Sequence, residues 1–216
     1  MTEWKVFFIG DSISIQYGPW LETFLTPSVS YARKAGVNDA LRDLDVPQGA
    51  NGGDSRMVLE YLSASKNHQE IGDVDVLAIN CGLHDIKTDP ESRTRQVGPD
   101  EYRSNLERIV EIGKPLCRWL VWVSTTPCMD AIHNARSTAF HRYREDVLTY
   151  NRIADAVMRV HDIPIIDLFG LTEKLESERG DAVYKDHVHF APEIQHLQGA
   201  YIAGWINAHR QANQKL

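Results

Sequence analysis

Short runs of apolar residues alternate along this chain with longer segments in which apolar residues recur every three or four positions. The short runs lie at residues 5–9, 29–32, 74–81, 119–124 and 164–168. They lack a strict alternation of apolar and polar positions, which is typical of strands covered on both faces of a sheet. We therefore interpret each of the five runs as a buried β-strand.

The longer segments have the spacing of amphipathic helices. Between residues 100 and 113, for example, Tyr102, Leu106, Ile109 and Val110 share one helical face. A proline at position 192 suits the first turn of the last helix. The pattern predicts seven helices, at residues 17–25, 38–44, 55–65, 100–113, 139–161, 171–179 and 192–212.

Strands that alternate with helices predict an α/β fold, with a doubly wound parallel sheet of about five strands and helices on both faces. The chain shows no internal repeat, low-complexity tract or linker, so we expect one domain over residues 1–216. Ligand sites in such sheets form beyond the carboxyl ends of the strands. The segments at that edge are 10–14, 51–55, 81–86, 124–129 and 181–190.

Charge and composition narrow the class of partner. The formal net charge of −7 argues against nucleic acid or an anionic membrane surface. No apolar run reaches the length of a membrane span, and the N-terminal region lacks a basic segment and a cleavage site, which predicts a cytoplasmic protein. Three cysteines without metal-like spacing argue against a disulfide framework. Nothing in the composition indicates an oligomeric state.

A candidate nucleophile follows the first apolar run, in the sequence Gly10-Asp11-Ser12. Ser12 would lie at the start of a helix, where free N–H groups and the helix dipole favour developing negative charge. The competing interpretation is that Asp11 or Ser12 only caps that helix. The G-x-S-x-G elbow of the usual α/β-hydrolases is absent from the chain.

A candidate acid–base unit lies near the other end of the chain, in the sequence Asp186-His187-Val188-His189. An aspartate three residues before a histidine can hold the imidazole ring and fix its tautomer. His189 would then take the proton of Ser12, although His187 competes for this role. The two histidines could instead bind a metal ion, which would require a third ligand from elsewhere.

Two further segments offer donors for an oxyanion. Gly53 follows another glycine, and its backbone N–H could approach a ligand closely. His84 follows the most strand-like run, and its ring N–H could point at the same atom. The alternatives are a plain loop capped by Asp54 or Ser55, and a loop histidine bonded to the backbone.

Taken together, these segments resemble the SGNH, or GDSL-type, hydrolase family. The serine block matches Gly10-Asp11-Ser12, the glycine block matches Gly53-Asp54-Ser55, and the last block matches Asp186 to His189. The resemblance implies a flavodoxin-like, three-layer α/β/α fold and a serine ester hydrolase that needs no cofactor and no metal. It also implies Ser12 as nucleophile, His189 rather than His187 as base, Asp186 as its orienting acid, and Ser12 and Gly53 as oxyanion donors.

One block departs from the pattern of the family. Where the family usually has Gly-x-Asn-Asp, this chain has Gly82-Leu83-His84-Asp85. Histidine can also donate an N–H to an oxyanion, so we predict His84 as the third donor. A protonated His84 would make activity fall as the pH rises through its pKa. Alternatively, the substitution weakens the oxyanion hole, which can cost about 10²–10³ in turnover.

The loops around these residues indicate which side chains contact the substrate. The loops at 87–98 and 127–138 are polar and charged, and we name Asp11, Tyr17, His133 and Arg136 as candidate substrate contacts. Tyr17 and Trp20 could stack on a sugar ring or join the core, which we expect of Trp20.

The chain shows no extended apolar lid, so we predict a small-molecule ester with a short acyl group, such as acetyl, on a polar carrier such as a carbohydrate. The alternatives are a lysophospholipase or thioesterase, or a non-hydrolytic relative that transfers acyl groups or binds carbohydrate.

Overall fold

Five parallel strands form the central sheet. The computed structural model describes residues 3–64, 69–137 and 139–213. The strand order is β2-β1-β3-β4-β5, and every neighbouring pair is parallel. The strands are β1 (Trp4–Ile9), β2 (Val29–Arg33), β3 (Val74–Ile79), β4 (Cys117–Val123) and β5 (Ile165–Ile166). The predicted parallel α/β fold is therefore confirmed.

Helices cover the sheet on both sides. In one group, the first helix packs against the last, and the last packs against the helix before it. In the other group, the helix at 99–113 packs against the helices at 55–63 and 144–160. Among the described residues, no helix combines the length and apolar character needed to cross a membrane. The helices are α1 (Ser12–Phe24), α2 (Val37–Ala40), α3 (Ser55–Ser63), α4 (Pro99–Gly113), α5 (Asp130–Arg136), α6 (Arg144–Val160), α7 (Leu168–Arg179) and α8 (Pro192–Asn213).

Side chains on both faces of the middle strands are buried. Phe7 and Phe8 are adjacent in β1 and point to opposite faces, yet each is at most 1% exposed. Leu77 and Ala78 in β3 are buried in the same way. Because helices cover both faces, these strands read as continuous apolar runs rather than alternating ones.

The helix that carries the candidate nucleophile begins at Ser12, the helix start expected from the Gly10-Asp11-Ser12 segment, and five residues before the periodic segment predicted at 17–25. Asp11 caps α1, and its carboxylate accepts a hydrogen bond of 3.0 Å from the amide of Ile13. The glycine and proline at positions 18 and 19 are poor helix formers, but they lie inside both the predicted and the observed helix. Because the cap prevails, Ser12 is the first residue of α1.

Several other predicted boundaries differ from the observed ones. The strand predicted at 164–168 is only Ile165–Ile166, because Asp167 accepts a hydrogen bond from the amide of Gly170 and starts α7. The helix predicted at 139–161 begins at Arg144. The short α5 lies in a segment predicted as a loop, and α2 is shorter than expected. The predicted end of the third helix, residue 65, lies outside the described residues.

Candidate active site

The carboxyl ends of three neighbouring strands meet at one edge of the sheet. Gly10, just beyond β1, pairs with Asn51, and its carbonyl accepts a hydrogen bond of 2.9 Å from the amide of Gly52. Asn80, just beyond β3, donates from its side chain to the carbonyl of Val123 in β4 at 2.9 Å. These bonds bring three of the segments singled out in the sequence to a common edge, and the bond between His189 and Ser12 brings the fourth.

Ser12, His189 and Asp186 form a continuous chain of hydrogen bonds. The Nε2 atom of His189 lies 3.0 Å from the Oγ of Ser12, and its Nδ1 atom lies 2.9 Å from the Oδ2 of Asp186. The carboxylate therefore holds one ring nitrogen while the other faces the hydroxyl. Such an arrangement can draw a proton from the hydroxyl.

The turn around Asp186 stabilises its negative charge. The Oδ1 atom accepts hydrogen bonds of 2.8 Å from the amides of Val188 and His189. Burial alone would raise the pKa of Asp186, but the bonds from the His189 ring and from these two amides hold it below its usual range. Asp186 is therefore a carboxylate at neutral pH.

Two backbone amides are candidate donors to an oxyanion. The amide of Ser12 belongs to the first turn of α1, where no intrahelical acceptor exists. Gly53 has a φ of +70°, and a Cβ atom at this position would lie 2.4 Å from the sulfur of Met57. Its amide donates to the Oδ1 of Asn51 at 3.0 Å. The Gly53 N–H is therefore engaged, and an oxyanion there would share it with Asn51.

His84 is buried beside these groups, with only 1% of its surface exposed. Its Nδ1 atom has no hydrogen-bond partner within the described residues. Burial lowers the pKa of His84 well below its usual range, and the nearby charges of Lys87, Arg142 and His189 lower it further. His84 is thus neutral at physiological pH, and the protonated form considered from the sequence is disfavoured.

Asp85 supports the loop that carries His84. Its Oδ1 atom accepts a hydrogen bond of 2.9 Å from the amide of Ser55, and Asn105 donates to the Ser55 hydroxyl at 3.0 Å. The Oδ2 atom is buried without a partner within the described residues. Burial raises the pKa of Asp85 to about 7.

The second histidine of the last block bonds to another histidine. The Nδ1 atoms of His187 and His133 lie 2.9 Å apart, and burial lowers the pKa of His133 to about 4. His133 is buried, whereas Arg136 from the same helix is exposed. Over the described ranges, no group of three or more His, Cys, Asp or Glu residues is arranged to hold a metal ion.

Tyr17, named as a candidate substrate contact, lies in the core, whereas Trp20, expected in the core, is exposed. Tyr17 is 1% exposed and packs edge-on against Phe8 in the core, so its ring cannot serve as a platform for a sugar. Trp20 is 37% exposed and contacts His196. The helical period explains the difference, because residues 13, 17 and 21 face the sheet while residue 20 faces α8.

Asp11 is 2% exposed, and burial raises the pKa of its carboxyl. Its cap on α1 gives it a structural position beneath Ser12.

The structure also adds a residue that sequence reasoning missed. Arg142 lies in the first turn of the helix predicted at 139–161, and it is only 2% exposed. Its Nε atom donates to the carbonyl of Leu83, immediately before His84, at 2.9 Å. Nothing in the local pattern distinguishes Arg142 from the neighbouring surface arginines. Only the return of this segment to the sheet edge reveals it.

Comparisons with known proteins agree with this architecture. A lipase/acylhydrolase from Enterococcus faecalis superposes with a TM-score of 0.69 at 19% identity, covering 95% of this chain and 96% of that one. An acetylxylan esterase from Geobacillus stearothermophilus superposes with a TM-score of 0.68 at 17% identity, covering 95% and 94%. At these identities the likeness establishes the fold. No curated protein sequence matches the chain.

Membership of a family rests on the sequence itself. The sequence pattern that defines the GDSL-like lipase/acylhydrolase family matches residues 8–197. This match runs from the end of β1 into α8 and includes all four segments at the sheet edge. The chain therefore belongs to the GDSL-like lipase/acylhydrolase family.

Proposed function

We propose that this protein is a serine esterase in which Ser12 attacks the carbonyl carbon of an ester. The observation that carries the proposal is the unbroken chain of hydrogen bonds from Ser12 through His189 to Asp186, at 3.0 and 2.9 Å. A serine is a weak nucleophile unless a base removes its proton. His189 is the base within hydrogen-bond reach of this hydroxyl.

The reaction proceeds in two halves. His189 takes the proton from Ser12 as the Oγ–carbonyl bond forms, and then returns a proton to the departing alcohol, leaving an acyl group on Ser12. Water attacks this acyl-enzyme, again with His189 as base, and releases the carboxylic acid. Asp186 keeps the Nδ1 proton on the ring and stabilises the imidazolium that forms in each half.

The tetrahedral oxyanion receives hydrogen bonds from three groups. The Ser12 amide has no intrahelical acceptor, and the amide of Gly53 is shared with Asn51. His84 contributes a ring N–H in place of the usual asparagine. A neutral imidazole still has one N–H to donate, and donors aimed at a developing charge in a buried site have a large effect on rate.

For the substrate, we propose a short acyl group, such as acetyl, on a polar carrier such as a carbohydrate. Ser12, His84 and His189 are each at most 5% exposed, which leaves little room for a long acyl chain. Polar side chains, including His133 and His187, lie next to the triad. Two structural relatives are described as acetylxylan esterases.

The nucleophile is tested with p-nitrophenyl acetate and a fluorophosphonate probe. Ser12→Ala should lower kcat by at least about 10⁴-fold while the protein stays folded, and it should abolish labelling. Ser14→Ala is a matched control, because its hydroxyl donates to the carbonyl of Asp11 and not to His189. Turnover that survives Ser12→Ala would contradict the assignment.

The substrate class is tested with esters of increasing acyl length and with acetylated sugars. We expect kcat/KM to be highest for acetyl and to fall as the acyl chain lengthens. A rise with chain length would instead favour a lysophospholipase or thioesterase. Product analysis with water and with alcohol acceptors separates hydrolysis from acyl transfer.

A further inference from the structure

Arg142 is a buried cation at the edge of the sheet that carries the candidate active site. It is 2% exposed, and no carboxylate lies within ion-pair distance of it in the parts of the chain that the structure describes. Its Nη1 atom is buried without a hydrogen-bond partner there. Its guanidinium lies over the ring of Phe140, 4.9 Å from the ring centre. Asp45, Asp11 and Asp186 act on this charge only through space, and a buried charge without a directly bonded carboxylate is unfavourable for stability.

Several bonds fix Arg142 against the loop of His84. Its Nε atom donates to the carbonyl of Leu83 at 2.9 Å, and its amide donates to the side chain of Asn134 at 2.9 Å. Thr88 and His141 pair through two backbone bonds of 2.7 and 2.8 Å. The segment before Arg142 is thus joined to the segment that follows His84. Arg142 and His84 are therefore held in one rigid unit.

The charge of Arg142 acts on several groups at this edge. It disfavours the protonated form of His84, together with burial, Lys87 and His189, and so contributes to the low pKa of that ring. It also lowers the pKa of His133. An arginine does not lose its proton in a protein, so this charge is constant across the pH range of activity. Buried charges are also screened little by salt.

We propose that Arg142 is a positioning residue for the oxyanion side of the site. Its bond to Leu83 holds His84 in place, and its permanent charge favours the negative charge that develops on the substrate. The inference rests on the proposed function, because it requires an oxyanion to form beside His84. With Arg142 in this role, a histidine can act as a donor at the position where the family usually has an asparagine.

Two substitutions separate the hydrogen bond from the charge. Arg142→Gln removes the charge, whereas Arg142→Lys keeps the charge and loses the Nε donor. Arg144→Gln is the matched control, because Arg144 is a neighbouring arginine that pairs with Glu173 and Glu176 at 3.2 and 2.7 Å. For each variant, kcat and KM are measured with p-nitrophenyl acetate, and the titration of His84 is followed by NMR of nitrogen-labelled histidine.

For Arg142→Gln we expect kcat to fall about 10²-fold with KM changed less than about threefold, as for a lost contribution to the oxyanion. The pKa of His84 should rise but stay below its usual range, because burial still lowers it. In Arg142→Lys the pKa of His84 should stay low while kcat falls less. Arg144→Gln should change neither. A merely structural arginine would affect stability without moving the titration of His84.

Other outcomes would overturn the proposal. An unchanged His84 titration in Arg142→Gln would show that the charge does not act on this ring. A loss confined to KM, and only for substrates that carry a carboxylate, would identify Arg142 as an anion-binding residue instead. If both variants fail to fold, the wild-type protein decides, because a His84 that titrates near pH 6.5 contradicts the proposal. Fluorophosphonate labelling of Ser12 tests the proposed function separately.

Discussion

The two sides of the candidate site differ in how completely their polar groups are satisfied. On the acid–base side (Ser12, His189 and Asp186), both ring nitrogens of the histidine and both carboxylate oxygens of the aspartate have partners. On the oxyanion side (Gly53, His84, Asp85 and Arg142), three buried side chains each retain an atom without a partner within the described residues. One side is assembled before substrate arrives, and the other retains unused hydrogen-bonding capacity.

This contrast follows from what each side must bind. A base and its orienting acid act on a hydroxyl of the protein itself, so their geometry can be fixed in the free protein. An oxyanion exists only during the reaction, so its donors must be free or shared until then, at some expense in stability. Substitutions on the acid–base side should therefore act on turnover. Substitutions on the oxyanion side should act on both turnover and stability.

The largest effect should distinguish the two histidines of the last block. His189→Ala should lower kcat by at least about 10⁴-fold, because the proton of Ser12 loses its acceptor. His187→Ala should lower kcat by less than about tenfold, because His187 bonds to His133 and not to the serine. Steady-state rates with p-nitrophenyl acetate measure both. A reversed order would show that the base has been assigned to the wrong residue.

The next effect concerns His84 as a donor. His84→Ala should lower kcat by about 10²–10³-fold, the usual result of removing one oxyanion donor. His84→Asn restores the residue usual in the family and should recover most of this loss. If His84→Ala is as active as the wild type, His84 does not contribute to the oxyanion side.

The stability of the oxyanion side should depend on pH through Asp85. The unfolded chain ionises this carboxyl near 3.8, whereas the folded protein keeps it protonated up to about 7. Between these values the folded state binds the extra proton, so the contribution of Asp85 to stability falls as the pH rises. Between pH 5 and pH 8 the loss should be about 3 kcal/mol.

Asp85→Asn isolates this contribution, because an amide oxygen still accepts the bond from the Ser55 amide but does not ionise. Urea unfolding of both proteins at pH 5 and pH 8 measures it as the difference between their pH dependences, which removes the contribution of the histidines. Parallel pH dependences in the two proteins would contradict a raised pKa for Asp85.

The smallest effect concerns the shared amide of Gly53. Asn51→Asp keeps the acceptor for this amide but places a negative charge beside the forming oxyanion. We expect kcat to fall about tenfold, in line with the repulsion of like charges across a partly screened distance. Measurement of kcat against pH should show the loss growing as the new carboxyl ionises. An unchanged kcat would place the oxyanion away from Gly53.

Local patterns were sufficient for the elements whose causes are local. The runs of β1, β3 and β4 were recognised because burial on both faces leaves a continuous apolar signal. The periodic pattern alone placed α1 at 17–25, whereas the capping residues Asp11 and Ser12 indicated its true start. Tyr17 and Trp20 were assigned in reverse because the orientation of a helix on its sheet depends on packing against α8.

Short motifs and hydrophobic periodicity encode the family, the parallel α/β architecture and the residues proposed as the triad, so these features could be predicted without the structure. Only the tertiary structure decided the neutral state of His84, the engagement of the Gly53 amide and the bond between His133 and His187. The burial of Arg142 and its bond to Leu83 are also visible only in the folded protein. Each of these depends on which distant segments share the edge of the sheet and on how far they exclude water. No local pattern contains that information.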